Sequence, residues 1–291
     1  MANERKKLIF CAYAADSNMQ SGENVINIED KVSLYMKNAV TALVSAKVNN
    51  SECEVALVTN VNVSEYYKNI FDKFNIKIFK EEFDKFKFDN NYKWGLAFYK
   101  LCALEKVLTY DYDSYLFLDA DTYTQNSLAD LWDETQYNVM LHNHIHRLSI
   151  PDCKRYNQEV ENFCGITAPL TNYSGGFIAG SKTLLNRFIN ICVGIYNEML
   201  EKNFQTSFGD EFITRLAAEK MKENIKEANA YIETFWTNVH FYLTTTRYKY
   251  NAISSFHLPD EKNRGLIKVF EYIVKNGDKV KKGDVVGILG T

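Results

Sequence analysis

Three stretches of the chain are almost continuously apolar: residues 7–14 (KLIFCAYA), 54–59 (EVALVT) and 114–118 (SYLFL). Residues 76–79 (IKIF) form a fourth, shorter one. Apolar runs of this length predict strands covered on both faces. Helical spacing separates them. Val32, Met36, Val40, Leu43 and Val44 lie close to a 3.6-residue period, with Asp30 placed as a cap. Ala97, Leu101, Leu104 and Leu108 recur at steps of four, three and four, marking one face of a helix within residues 94–108. Further on, residues 139–141 and 177–179 predict short strands. Ser181 is placed to cap a helix carrying Leu185, Phe188, Ile189, Cys192, Val193, Tyr196 and Met199, and Asp210 to start one carrying Phe212, Ile213, Leu216 and Ala217. Strands alternating with helices predict an α/β fold, a mixed, mostly parallel central sheet flanked by helices. Residues 1–266 read as one domain. Residues 267–291 read as a basic tail, through Lys268, Lys275, Lys279, Lys281 and Lys282, forming a hairpin or an extension of that domain.

Composition narrows the partners. With 34 Lys+Arg against 37 Asp+Glu the net charge is −3, which excludes a strongly basic nucleic-acid-binding surface. No apolar run approaches the roughly 20 residues needed to span a bilayer. The expected location is therefore cytoplasmic, with at most peripheral contact at the inner membrane face, where the basic tail would meet anionic lipid. The six cysteines form no CxxC pair and suggest no zinc site, in keeping with a reducing compartment. Low proline and frequent Asn and Lys suggest a bacterial chain.

The chemistry concentrates in YLFLDADTY (115–123), where a buried-strand pattern runs directly into Asp119 and Asp121. In open α/β sheets ligands bind at the carboxyl ends of strands. Two carboxylates one residue apart offer hard oxygen ligands for Mg²⁺ or Mn²⁺ carrying a diphosphate. Further candidates are the small-residue segment NYSGGFIAG (172–180), GDEFITRL (209–216), and His257 followed by Lys262 and Gly265. His142, His144 and His146 alternate, which on a strand would place them on one face.

Taken in order, these blocks resemble GT-A glycosyltransferases, the Rossmann-like nucleotide-diphospho-sugar transferases, and specifically retaining families eight and six. YLFLDADTYTQNSLADLW is similar to the Asp-x-Asp block of family eight. GDEF is similar to the Asp-Gln-Asp motif of family eight and to the His-Asp-Glu-Ser motif of family six. His257, Lys262 and Gly265 are similar to the His-Gly-Lys motif of family eight, with Lys and Gly in reversed order. The resemblance spans residues 7–266. It implies a metal-dependent enzyme moving a hexose from a UDP-sugar to a glycan, lipid-linked glycan or other hydroxyl acceptor, with retention of configuration.

The same resemblance assigns roles. Asp119, Asp121 and His257 would hold Mn²⁺ or Mg²⁺, imidazole beside two carboxylates suiting Mn²⁺ somewhat better. Ala12, Tyr13 and Asp16 would line the nucleotide pocket, with Tyr13 either stacking on the base or packing in the core. Lys100, Ala120 and Lys262 would complete the contacts to the donor. Ser174, Gly175 and Gly176 would bring backbone close to the sugar. Asp210 and Glu211 would sit nearest the reacting carbon as the catalytic carboxylates. Apart from the resemblance, the alternating histidines point to His144 or Asn143 reaching an acceptor or donor hydroxyl. Two other functions fit parts of the pattern: a non-catalytic sugar- or nucleotide-binding relative, and an Asp-x-Asp phosphatase, against which Tyr123 stands where such enzymes carry Thr.

Overall fold

The computed structural model describes residues 5–15, 28–88, 92, 94–144, 149–237 and 252–277. In chain order the elements are β1 (Lys7–Tyr13), α1 (Ile28–Asn49), β2 (Glu54–Thr59), α2 (Glu65–Lys73), β3 (Lys77–Lys80), α3 (Tyr99–Val107), β4 (Ser114–Leu118), β5 (Thr122–Thr124), α4 (Leu131–Glu134), β6 (Val139–Asn143), α5 (Ile150–Cys164), β7 (Tyr173–Ser181), α6 (Lys182–Glu201), α7 (Asp210–Lys220), β8 (Ile225–Glu227), β9 (Ile232–Thr234), β10 (Ser255–His257) and α8 (Gly265–Asn276). The four strands expected in the first half are present, as are the helices after Ser181 and at Asp210.

Seven strands form one sheet in the order β3-β2-β1-β4-β7-β6-β8. Strands β3, β2, β1 and β4 run parallel; β7 opposes both of its neighbours, β4 and β6. The apolar runs have a simple cause. Leu8, Phe10, Tyr115 and Phe117 face one core, while Ile9, Cys11, Leu116 and Leu118 face the other. Helices α3, α6 and α7 cover the first face; α1 and α8 cover the second. A strand buried on both faces has no position for a polar side chain, so its sequence loses alternation.

Local capping sets several helix starts. Ser181 accepts a hydrogen bond from the Leu184 N–H, as its sequence context implied. In α5, Ser149 caps the first turn, Pro151 follows within it, and Gly165 ends the helix in the left-handed conformation. Three other features depart from the sequence reading. Helix α1 begins at Ile28, two residues before the expected cap Asp30. A second, three-stranded sheet, β5-β10-β9, stands beside the main one. The domain boundary expected after residue 266 falls inside α8, whose Leu266, Val269, Phe270 and Ile273 are buried in the α1-side core. Residues up to Asn276 thus belong to the same body. The basic hairpin expected over the tail lies, beyond Gly277, outside the described residues. No helix among the described residues is long and apolar enough to cross a membrane.

Candidate functional site

At the end of β4 the chain turns instead of extending. The Asp119 carbonyl accepts from the Thr122 N–H (3.2 Å) and hydroxyl (2.8 Å), closing a turn that presents both carboxylates at the strand's carboxyl end. The chain then enters β5, which pairs antiparallel with β10 in a register that matches Thr122 to His257. That register, with the Leu258 N–H bound to the Asp121 carbonyl (2.9 Å), carries His257 to the aspartates across a long sequence separation. His257 Nε2 lies 3.2 Å from Asp121 Oδ1 and 3.8 Å from Asp119 Oδ2. One potential ligand atom from each of the three residues falls within 4.8 Å of the others.

Cations surround this acidic pair. Lys262 Nζ lies 3.0 Å from Asp121 Oδ2. Lys100 Nζ lies 3.3 Å from Asp119 Oδ1 and 3.4 Å from Asp210 Oδ2, joining the Asp-x-Asp turn to the start of α7. Burial would raise the Asp121 carboxyl, but His257 and Lys262 hold it well below the usual carboxylate range. Burial opposes charge on His257 and Lys100 as well, and the neighbouring carboxylates overcome it in both, raising their pKa values.

Strand β7 explains how backbone comes so close. Between Leu141 and His142, β6 advances one residue while its partners on β7 move from Ile178 to Ser174, a step of four. The extra residues, Gly175 to Phe177, form a bulge whose two glycines lie against the carboxylates. The Gly176 carbonyl accepts from the Asp119 N–H (3.0 Å), and Ser174 Oγ accepts from the Gly176 N–H (3.1 Å). A Cβ on Gly175 would lie 1.8 Å from Asp210 Oδ2; one on Gly176 would lie 3.0 Å from Asp119 Oδ2 and 3.4 Å from His257 Cε1. Gly209, at φ +64°, turns the chain into α7 so that Asp210 and Glu211 occupy its first turn. Burial pushes both carboxyls up to about 7; for each, Lys100 is the main opposing influence.

The remaining expected residues are placed as follows. Ala120 is half-buried between the two aspartates. Ala12 is half-buried on β1, and Tyr13, 7% exposed, packs in the core on the α1 side, the second of its two expected roles. Asp16 lies outside the described residues. His144 Nε2 stands 3.7 Å from Glu211 Oε2, a catalytic candidate. The alternating histidines divide: His142 points Nδ1 toward Thr234 Oγ1 (3.4 Å), and His146 lies outside the described residues.

Two polar residues with no sequence signal also belong to the site's frame. Asn60 clamps the backbone after β1, donating to the Ala15 carbonyl (2.9 Å) and accepting from its N–H (3.0 Å). Thr234 Oγ1 lies 3.2 Å from His257 Nδ1. A second trio of potential ligands, Asp84, Cys102 and Glu105, has its carboxylates paired with Lys106 and Lys85.

The site can hold a divalent cation chemically. Its donors are two carboxylates and an imidazole, and the Gly176 cradle leaves beside them the space that a Cβ would fill. A family model described as Glycosyl transferase family 8 matches residues 12–170. No curated protein matches the chain significantly. Among solved structures, a crystal structure of an active-site mutant of LgtC matches with a TM-score of 0.60, covering 93% of this chain and 95% of that one at 13% identity, a likeness of fold. Asp210, Glu211, His257 and Lys262 lie beyond the segment that the family model matches, and it is the folded geometry that joins them to Asp119 and Asp121.

Proposed function

The chain belongs to glycosyl transferase family 8 and is a glycosyltransferase, and we propose that it moves a hexose from a UDP-sugar to a hydroxyl of a glycan or lipid-linked acceptor, with retention of anomeric configuration. The observation that carries this reading is the convergence of Asp119, Asp121 and His257 within 4.8 Å at the carboxyl end of β4. Those three residues would hold Mn²⁺ or Mg²⁺. When bound, such a cation supplies positive charge against the charge that develops on the departing nucleoside diphosphate.

The chain's own groups would do the rest. Lys100, bridging Asp119 and Asp210, fixes the distance between the diphosphate end of the site and the α7 end. Lys262 adds a second cation where phosphate oxygens would lie. Asp210, held against Gly175, would accept hydrogen bonds from sugar hydroxyls. Glu211 is the carboxylate for the face of the ring opposite the leaving group. It would act there as a nucleophile or as a stabiliser of the oxocarbenium-like state. With its pKa near 7, it is divided between acid and carboxylate forms at neutral pH, and Lys100 favours the carboxylate. Family membership leaves the phosphatase alternative without support.

The test is a panel of nucleotide sugars incubated with the protein and Mn²⁺ or Mg²⁺, followed by nucleotide release. UDP release that requires a divalent cation, and that falls by about 10²–10³-fold or more in Asp121→Ala, is the expected result. A fully active Asp121→Ala protein would overturn the metal assignment. NMR of the product's anomeric proton tests retention.

A further inference from the structure

Thr234 is almost completely buried (2% exposed) at the last position of β9. Parallel pairing of β9 with β10 matches it to His257. Its Oγ1 stands between two imidazole nitrogens, 3.2 Å from His257 Nδ1 and 3.4 Å from His142 Nδ1. His142 is 1% exposed and enters this arrangement from the main sheet, at the step in the β6–β7 register. The hydroxyl therefore connects the small sheet, which carries His257, to the central one.

The proton count limits what this triad can do. A hydroxyl has one proton, so Thr234 can donate to only one of the two nitrogens and must accept from the other. An imidazole ligates a cation through a nitrogen lone pair, and the partner of its second nitrogen decides which lone pair is available. If Thr234 donated to His257 Nδ1, a neutral His257 would carry its proton on Nε2, facing Asp121 and blocking ligation. With the opposite polarity, Nδ1–H of His257 donates to Thr234, the Thr234 hydroxyl donates to His142 Nδ1, and Nε2 keeps its lone pair toward the carboxylates.

We propose that Thr234 is a positioning residue for the cation site, with His142 as the acceptor that fixes the direction of its hydroxyl. Through Thr234, His257 is held in both ring orientation and tautomer. This inference rests on the reading of Asp119, Asp121 and His257 as a divalent-cation site. It assigns a function to His142, a histidine that contributes no ligand to that site.

The experiment measures Mn²⁺ affinity directly, by electron paramagnetic resonance of free Mn²⁺ over the full chain without nucleotide. Thr234→Val keeps the shape and removes both hydrogen bonds; it should weaken binding by about 10–100-fold. Thr234→Ser keeps the hydroxyl and should retain the parent affinity. His142→Phe should weaken binding less than Thr234→Val, because it frees the hydroxyl to turn toward His257. Melting curves without metal show that each variant is folded. A Thr234→Val protein that binds Mn²⁺ as tightly as the parent overturns the proposal. If Thr234→Val does not fold, a His142→Phe protein with parental affinity overturns it instead. A parent chain that binds no Mn²⁺ overturns the cation-site reading, and this inference with it.

Discussion

Gly175 carries the tightest steric demand in the site. A Cβ there would lie 1.8 Å from Asp210 Oδ2 and 2.9 Å from its Cγ. The Asp210 side chain is short, buried and held by Lys100, so it cannot swing aside without losing that contact. At Gly176 the closest approach is 3.0 Å, to the end of a more exposed side chain, Asp119. Gly175→Ala should therefore lower kcat by about 100-fold, as a displacement of about 1 Å at a reacting centre does. Gly176→Ala should cost less. Steady-state kinetics of the two variants beside their melting curves checks the order, and equal effects would contradict it. Among single residues, Asp119 and Asp121 stood out because a buried-strand pattern runs directly into them, and the structure puts both at that strand's carboxyl end. Thr234 and Asn60 did not. Their importance comes from strand register and a turn contact, which leave no trace in residue type.

Helix α7 shows how an element tunes its own residues. Its first turn holds Asp210 and Glu211, both pushed by burial to about 7, against ordinary values of 3.8 and 4.5. From about pH 4 to 7 the folded protein thus keeps protons that the unfolded chain releases, and stability falls as pH rises through that window. Asp121, held low, works in the opposite direction only below its unfolded value, outside the window. The cation-free protein should melt several degrees higher at pH 5 than at pH 7.5, at roughly 2–4 °C per kcal/mol for a chain of this size. Glu211→Gln should flatten that slope; a slope unchanged by the substitution would show that burial does not act on this carboxyl.

Elements also differ in how plainly they were written. Strand β4 and helix α6 have strong periods and were legible. Helix α5 is rich in polar residues, and only Ser149, Pro151 and Gly165 mark its ends. Strands β5, β9 and β10 are three residues each, too short to carry a period. Helix α8 was obscured by its lysines, although Leu266, Val269, Phe270 and Ile273 keep helical spacing.

At the scale of the molecule, the site lies where the seven-stranded sheet, the small sheet and α7 meet. A ligand that touches all three should stabilise the whole fold. Free ligand at a hundred times its dissociation constant adds about 2.7 kcal/mol. UDP with Mn²⁺ should therefore raise the melting temperature by several degrees, UDP alone by less, and Asp121→Ala should remove the increment due to the metal. Scanning calorimetry of the four combinations decides this; a UDP effect that ignores Mn²⁺ would separate the nucleotide pocket from the acidic cluster. The α/β class and a mostly parallel central sheet could be expected from sequence because covered strands must be apolar. The union of Asp121 with His257 was implied only by the family resemblance; no periodicity in the residues themselves foretells that β5 finds β10.

That union has a consequence for biosynthesis. A ribosome adds roughly 5–20 residues each second and domains fold as they emerge. The Asp-x-Asp turn is therefore made well before its histidine partner exists. The early sheet can assemble, but the proposed cation site cannot close until β10 arrives, more than a hundred residues later. If the site binds as proposed, turnover is a late event in the life of the chain, and the onset of Mn²⁺ binding in a stalled-ribosome series would date the docking of β10, the last of the described strands.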